Sequence, residues 1–367
     1  MTAQTTPEPI VHVGVSAYRI PTDAPESDGT LAWDATTLVL VRINAGGASG
    51  IGYTYADTAT AALIRDKLAP LLHGRDALAI NARFRDMARE IRNLGRPGIC
   101  SMAISAVDVA LWDLKARLFN VPLAALLGQA RDAIQIYGSG GFTSYSEERL
   151  QQQLAGWVDS GMQCVKMKIG REPQHDLARV RAAREAIGVE AQLFVDANGA
   201  YQRKQALGFA HDFARHGVTW FEEPVSSDDL AGLRQLRDAG PPGIAISAGE
   251  YGYDLPYFRC MLEAQAVDVL QADATRCGGV TGFLGAAVLC EAYCMPLSSH
   301  CAPALHLPLM CAVRPGIHLE YFHDHARIEH MLFEGAAVPD NGRLVPDLGR
   351  PGLGIEFKRQ EARCYEV

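Results

Sequence analysis

Short apolar runs alternate with helix-spaced segments from about residue 133 onward. This alternation is typical of an α/β fold with a parallel sheet, because a crossover helix returns the chain between parallel strands. Eight such units favour a closed barrel over an open doubly wound sheet, and the last connection, residues 301–316, is Pro-rich and predicted to be only partly helical. The candidate strands are residues 134–140, 164–170, 192–198, 219–224, 244–250, 267–273, 296–300 and 317–322.

The first 128 residues have a different pattern, in which two strands and a glycine-rich, hairpin-like turn come before two helices. Val121-Pro122 ends the second helix. We therefore predict an N-terminal α+β domain over residues 1–128 and a barrel domain over residues 129–339. The strands, the turn and the helices are predicted at residues 10–20, 36–43, 44–53, 58–72 and 102–119, in that order.

Composition and charge narrow the class of partner. The chain has 367 residues, of which 48% are hydrophobic and 21% charged, which is ordinary for a globular protein. A formal net charge of -8 disfavours nucleic acid and anionic membranes, since both require a concentrated basic surface. We therefore expect a small-molecule partner.

Two further features concern location and redox state. The opening MTAQTTPEPI lacks the basic start and apolar run of a secretory signal, and no run approaches the roughly 20 apolar residues of a membrane span. We therefore expect a cytoplasmic protein. The nine cysteines show no Cys-x-x-Cys pairing and are interpreted as free, mostly buried thiols. Dinucleotide-binding and P-loop motifs do not occur, which points to a metal as cofactor.

Three carboxylates close successive predicted strands. Asp196, Glu222 and Glu250 are 26 and 28 residues apart, and the carboxyl ends of barrel strands share one rim. Three such groups at low dielectric call for a compensating cation. An oxygen-only set suits one Mg²⁺, with Mn²⁺ as a substitute, better than Zn²⁺. The competing interpretation, separate rim carboxylates in surface ion pairs, explains one such residue better than three.

Two lysines lie on one side of the second barrel strand. Lys166 and Lys168 are two residues apart, so their side chains point the same way. Neighbouring ammonium groups depress each other's pKa, so one lysine is expected to act as a neutral general base and the other to bind a substrate carboxylate. The alternative is a pair of surface lysines.

His300 and Asp273 end neighbouring strands, so the sequence predicts an Asp-His pair that fixes the imidazole tautomer. Glu320, on the eighth strand, would lie opposite the metal ligands, where a protonated or hydrogen-bonded carboxyl holds a substrate carboxylate oxygen. The segment His323-Asp324-His325 resembles a His-x-His metal pair. It follows the last strand, however, and is interpreted as structural.

These residues resemble the enolase superfamily and, more narrowly, its mandelate racemase subgroup. The matching motifs occur in order over residues 164–300, and the cap-like start and the Glu320 strand extend the resemblance to nearly the whole chain. Each motif alone is weak, but six in this order at barrel spacing are specific. They are VKMKIG, VDANG, WFEEP, SAGE, QADATRCGGVTG and SSH.

The resemblance implies a (β/α)₇β modified TIM barrel, an N-terminal capping domain and a C-terminal segment, residues 340–367, that returns to the cap. It also implies that cap loops at residues 18–33 and 50–55 close over the substrate. Substrate-binding candidates are Tyr18, Arg19, Tyr53 and Asn198, although a plain surface role for Arg19 is equally open. A homo-oligomer is expected.

Two enzymatic hypotheses follow from the resemblance, which implies a Lys or His base with Mg²⁺ acting on an enediolate. In the first, Lys168 or His300 removes the proton α to a sugar-acid carboxylate and the 3-hydroxyl leaves, giving a 2-keto-3-deoxy acid. In the second, the two bases reprotonate the enediolate and the enzyme is a racemase or epimerase. We favour dehydration, the commonest activity implied by the subgroup.

Two hypotheses that assign the chain to other classes of protein are weaker. A non-catalytic barrel that binds metal and ligand would not need every catalytic position to be filled. A metal-dependent amidohydrolase would need a His-x-His pair on the first barrel strand, where this chain has IQIYGSGG.

Overall fold

The cap is an antiparallel sheet of three long strands packed against helices. A computed structural model describes residues 7–367; residues 1–6, on which part of the expectation about a secretory signal rests, lie outside it. The strands pair in the order β1-β2-β3. The cap elements are β1 His12–Ser27, β2 Ala32–Ala45, β3 Ala48–Tyr55, α1 Thr58–Leu63, a π-helical turn Ile64–Leu68, α2 Ala69–Leu72, α3 Ile80–Glu90, a 3₁₀ turn Ile91–Asn93 and α4 Ile99–Leu118.

Strand β3 corrects the sequence-based expectation, which placed one glycine-rich turn over residues 44–53. Only Gly46 and Gly47, both with positive φ, form the turn. Gly50 and Gly52 belong to the strand instead. A Cβ at Gly52 would lie 2.2 Å from the carbonyl oxygen of Ala106 in α4, so these glycines let the sheet approach the helix closely.

The eight predicted parallel strands are confirmed. They pair in sequence order, and the eighth strand also pairs with the first, which closes the barrel. A short helix, α5 Leu123–Leu126, leads into it. The barrel strands are β4 Ile134–Gly140, β5 Cys164–Lys168, β6 Gln192–Asp196, β7 Val218–Glu222, β8 Ala245–Ala248, β9 Val269–Ala272, β10 Leu297–Ser299 and β11 Gly316–Phe322.

Each barrel strand is followed by one helix on the outside. The connection after β10, predicted to be partly helical, contains a ten-residue helix that begins at Pro303. The outer helices are α6 Glu147–Asp159, α7 Pro173–Ile187, α8 Arg203–Ala214, α9 Leu230–Ala239, α10 Leu255–Glu263, α11 Gly279–Ala292, α12 Pro303–Ala312 and α13 His323–Leu332. Among residues 7–367, no helix is long and apolar enough to cross a membrane.

Side chains alternate between the two faces of each barrel strand. On β6, Leu193 and Val195 pack outward against the helices, while Phe194 points inward. Phe194 stacks on Trp220 of β7 at 5.2 Å and meets Tyr137 of β4 at 5.4 Å between ring centroids. This aromatic layer fills the barrel and leaves the polar strand ends as the floor of a cavity.

The C-terminal segment contacts both the barrel and the cap. Strand β13 pairs antiparallel with β4, and the amide of Val367 donates to the carbonyl oxygen of Ala17 in β1 at 3.0 Å. All nine cysteines are free and six of them are buried, in agreement with the sequence interpretation. The elements after α13 are β12 Phe333–Glu334, β13 Arg343–Leu344, β14 Glu356–Phe357, α14 Arg359–Ala362 and a 3₁₀ turn Arg363–Tyr365.

Candidate active site

A cavity of about 410 Å³ lies between the cap and the carboxyl ends of the barrel strands. A larger cleft of about 940 Å³ shares Trp33 with it, but the described residues that line this cleft include none of the strand-end carboxylates, lysines or histidine predicted from the sequence. The chemistry therefore belongs to the smaller cavity. The barrel contributes, among others, Lys168, Asn198, Glu250, Arg276, His300 and Cys301, and the cap contributes Asp28, Leu31, Trp33, Thr36, Tyr55 and Asp57.

The three strand-end carboxylates converge beside this cavity. Asp196 and Glu222 end β6 and β7, and Glu250 follows β8 by two residues. All three are buried, and one oxygen of each lies within 4.8 Å of the others. Glu250 Oε2 has no hydrogen-bond partner among the described residues. Burial and the nearby Asp196 raise the pKa of Glu222, and Lys166 opposes this shift. A hard divalent cation fits this donor set and would satisfy the unpaired oxygen.

Both lysines of β5 contact carboxylates, and these contacts favour the charged amine over the neutral base expected from the sequence. The ammonium of Lys166 lies 2.7 Å from Glu222 Oε1, and that of Lys168 donates to Asp196. Burial opposes both charges, but Asp196 outweighs it at Lys168 and Glu222 outweighs it at Lys166, so both pKa values lie above the usual range. The mutual repulsion of the lysines is the weaker effect.

The Asp-His pair has the geometry expected of it. His300 Nδ1 lies 2.8 Å from Asp273 Oδ2, and both side chains are buried. Asp273 Oδ1 accepts from the amide of Thr275 at 2.7 Å, which fixes the carboxylate. Burial favours neutral His300, but Glu250 and Asp273 outweigh it, so the pKa of His300 is raised. The ring therefore presents Nε2 to the cavity.

Glu320 is a buried carboxyl held by donors, which corresponds to the hydrogen-bonded rather than the protonated form of the sequence-based expectation. Its Oε1 lies 2.8 Å from Lys166 Nζ, and its Oε2 accepts from the amide of Cys301 at 2.8 Å. Burial raises its pKa, but Lys166 and His300 outweigh burial and hold that pKa well below its usual range. Lys166 therefore lies between Glu320 and the carboxylate of Glu222.

Three of the four substrate-binding candidates lie away from the cavity. Tyr18 is buried against Phe357 of the C-terminal segment, and Arg19 is exposed and pairs with Asp34 at 2.8 Å. Tyr53 is buried and donates to Glu329 at 2.5 Å.

Asn198 does line the cavity, with a positive φ and a buried Oδ1 that lacks a described partner. Strained backbone of this kind recurs at Glu223, Cys301 and Ala302, which all follow strand ends at the rim of the barrel.

Sequence reasoning missed several groups at this rim. Cys301 Sγ lies 3.3 Å from His300 Nε2, and Arg276 Nη1 lies 3.2 Å from Glu250 Oε1. His325, interpreted from the sequence as structural, lines the cavity and stacks on Tyr55 at 3.5 Å between ring centroids. The position of Arg276, three residues after Asp273, could have identified it from the sequence. The stacking of Tyr55 on His325 joins distant segments, so no pattern in the sequence could have predicted it.

Both domains match known families. Residues 14–128 match the family described as "Mandelate racemase / muconate lactonizing enzyme, N-terminal domain", and residues 149–362 match "Enolase C-terminal domain-like". Among curated relatives, the 3,6-anhydro-α-L-galactonate cycloisomerase of Streptomyces coelicolor is 34% identical over 95% of this chain and 98% of its own. The L-talarate/galactarate dehydratase of Salmonella typhimurium is 30% identical over 100% and 93%.

Solved structures agree with this assignment. A mandelate racemase/muconate lactonizing enzyme-like protein from Rubrobacter xylanophilus is 54% identical, with a TM-score of 0.96 over 98% of this chain and 100% of its own. A racemase from Streptomyces coelicolor with bound magnesium is 31% identical, with a TM-score of 0.92 over 98% and 100%. This chain therefore belongs to the mandelate racemase/muconate lactonizing enzyme family of the enolase superfamily.

Proposed function

We propose that this enzyme removes the proton α to the carboxylate of a sugar acid and expels the oxygen at C3, so that a 2-keto-3-deoxy acid forms. The observation that carries the proposal is the presence of two proton-transfer groups, Lys168 and His300, in one cavity beside a three-carboxylate set. Relatives named as a sugar-acid dehydratase and a cycloisomerase support it.

Asp196, Glu222 and Glu250 would hold Mg²⁺, for which Mn²⁺ is a substitute. The bound ion supplies positive charge that stabilises negative charge as it develops on the substrate carboxylate. Magnesium bound in the related Streptomyces coelicolor structure supports this identity. The all-oxygen donors support it from this chain itself, as does Glu250 Oε2, which has no hydrogen-bond partner among the described residues.

The protein residues divide the proton transfers. Lys168 or His300, whichever is in its neutral form, takes the C2 proton, and the electron pair of the C2–H bond forms the C2–C3 double bond as the C3–O bond breaks. The other group gives a proton to the departing oxygen, and the resulting enol tautomerises to the keto acid. Asp273 holds His300 so that Nε2 exchanges the proton, while Glu320 positions Lys166.

The same elimination has a second form. If the oxygen at C3 belongs to a ring, it stays attached after the C3–O bond breaks, and the reaction is an isomerisation with no loss of water. The 34% identity to a 3,6-anhydro-galactonate cycloisomerase favours this form as the second candidate. A racemase or epimerase, in which Lys168 and His300 reprotonate C2 from two directions, is the remaining alternative.

A substrate panel in D₂O tests the proposal. Aldonic, aldaric and 3,6-anhydro-aldonic acids are incubated with Mg²⁺-loaded enzyme and followed by a keto-acid assay, proton NMR and mass spectrometry. Keto acid with loss of water supports dehydration, and keto acid of unchanged composition supports ring opening. Deuterium at C2 with no keto acid supports the racemase. Unchanged turnover in both Lys168→Ala and His300→Asn would overturn the assignment of the proton-transfer groups.

A further inference from the structure

The two sides of the active-site cavity differ in charge. Its lysine and arginine, Lys168 and Arg276, both come from the barrel. The cavity-lining cap residues that the structure describes include no lysine, arginine or histidine. We call this side of the cavity the cap wall; its main side chains are Asp28, Leu31, Trp33, Thr36, Tyr55 and Asp57.

Both barrel cations are already engaged by carboxylates. Lys168 donates to Asp196, and Arg276 lies 3.2 Å from Glu250 Oε1 and 3.6 Å from Asp273 Oδ2. His325 adds no positive charge, because its Nδ1 accepts from the amide of Ala302 at 3.3 Å and its burial lowers its pKa to about 3. His300 is also engaged, since its Nδ1 lies 2.8 Å from Asp273 Oδ2 and its Nε2 lies 3.4 Å from Glu250 Oε2. A substrate that places one carboxylate beside the metal set therefore finds no free cation for a second among the described residues that line the cavity.

The cap wall instead offers acceptors for hydroxyl groups. Asp28 Oδ1 accepts from the amide of Leu31 at 2.7 Å, and Asp57 Oδ1 accepts from the amide of Ala59 at 2.8 Å. The other carboxylate oxygen of each accepts no hydrogen bond from a described residue. Sugar hydroxyls can donate to these oxygens, whereas a second substrate carboxylate has no proton to donate and is repelled by them.

Trp33 reinforces this discrimination. Its indole N–H, a donor that could have bound an anion, donates to Glu26 Oε2 at 2.8 Å. The indole therefore presents hydrocarbon to the cavity, as do Leu31 and Phe322. Such surfaces suit the C–H faces of an uncharged chain end and disfavour a charged one.

We infer that the enzyme is specific for sugar acids with a single carboxylate, namely aldonic or anhydro-aldonic acids, and discriminates against aldaric acids, which carry one at each end. The inference rests on the proposed function, because that proposal places the first carboxylate at the metal set. The names of the relatives cover both classes, a galactonate derivative and galactarate, so the family alone leaves the choice open.

Matched acids of the same configuration test the inference. D-gluconate with D-glucarate, D-galactonate with galactarate, and D-mannonate with D-mannarate are compared on Mg²⁺-loaded enzyme by kcat/KM for keto-acid formation. Leu31 is 62% exposed and Asp57 is exposed, so solvent screens part of the repulsion, and we expect the best aldonate to exceed its aldarate by about tenfold. The same pairs are titrated calorimetrically into inactive Lys168→Ala, with Lys168→Gln as a second inactive variant.

Asp28→Asn provides a matched variant, since the amide oxygen can still accept from the Leu31 amide while the negative charge is removed. It should raise the aldarate-to-aldonate ratio of kcat/KM several-fold. An aldarate used within threefold of its aldonate overturns the inference and leaves the proposed function standing. Preferential aldonate binding without keto-acid formation by the wild type overturns the proposed function alone. Binding of neither class, with 3,6-anhydro-aldonates titrated as well, overturns both.

Discussion

Asp273→Asn tests the proton-transfer role of His300 without removing the imidazole. Asp273 Oδ1 accepts from the Thr275 amide at 2.7 Å, so the asparagine must keep its oxygen at that position. Its NH₂ group then occupies the place of Oδ2, 2.8 Å from His300 Nδ1, and donates to that nitrogen. Neutral His300 is thereby forced to carry its proton on Nε2, the opposite tautomer from the one that Asp273 selects.

The size of the effect follows from the charge-assisted hydrogen bond that is lost. Hydrogen bonds to charged groups contribute about 1.5–3 kcal/mol, which corresponds to about 10- to 150-fold in rate. We expect kcat to fall about 100-fold, because the imidazolium loses its buried counter-charge as well as its tautomer. The loss applies whether His300 takes the C2 proton or protonates the departing oxygen.

Keto-acid formation and C2 deuterium exchange in D₂O are measured side by side. Loss of the keto acid with retained exchange assigns His300 to the departing oxygen, and loss of both assigns it to the C2 proton. Asp108→Asn is the matched control, since Asp108 is equally buried and accepts from Thr281 but lies outside the cavity. A kcat of Asp273→Asn within threefold of the wild-type value would show that Asp273 does not support proton transfer by His300.

Three further predictions concern the cap and its contact with barrel helix α13. Tyr53→Phe should lower the free energy of unfolding by about 1–2 kcal/mol, through loss of the bond to Glu329, and leave KM unchanged; a raised KM would return Tyr53 to the substrate site. Burial raises the pKa of Glu329 to about 8, so the folded state retains a proton that the unfolded state releases, and stability falls as pH rises from about 4.5 to 8. Glu329→Gln should flatten this part of a melting-temperature profile against pH, and an unchanged slope would contradict the assignment. Gly52→Ala should lower the free energy of unfolding by about 3 kcal/mol in chemical denaturation, because the new Cβ would lie 2.2 Å from the carbonyl oxygen of Ala106. Gly47→Ala is the control: no atom lies near its Cβ, so it measures only the strain of a positive φ.

The barrel could be predicted from the sequence because its strands are buried on both faces and therefore stand out as apolar runs. Once the barrel was predicted, the location of the site could be predicted too, because polar residues such as Asp196 and His300 lie at strand ends that share one rim. Strand β3 was missed because Gly50 and Gly52, needed for close packing on α4, weaken the strand pattern.

Side-chain environments in the cap could not be predicted in the same way. Tyr53 and Tyr55 point to the same face of β3, yet only Tyr55 reaches the cavity, which begins at the end of that strand. The charge state of the lysines also depended on distances between strands. Repulsion between Lys166 and Lys168 is visible in the sequence, whereas the 2.7 Å contact of Lys166 with Glu222 is not.

Metal-dependent removal of the C2 proton is the central claim, and proton NMR in D₂O follows it directly. The C2 proton signal of an aldonate substrate is recorded over time with Mg²⁺-loaded wild type, with enzyme treated with a chelator, and with Asp196→Asn. We expect the signal to disappear only with the loaded wild type, and added Mg²⁺ to restore loss of the C2 proton in the chelated sample but not with Asp196→Asn. Loss of the C2 proton at the wild-type rate without the metal, or in Asp196→Asn, would contradict metal-dependent removal of this proton.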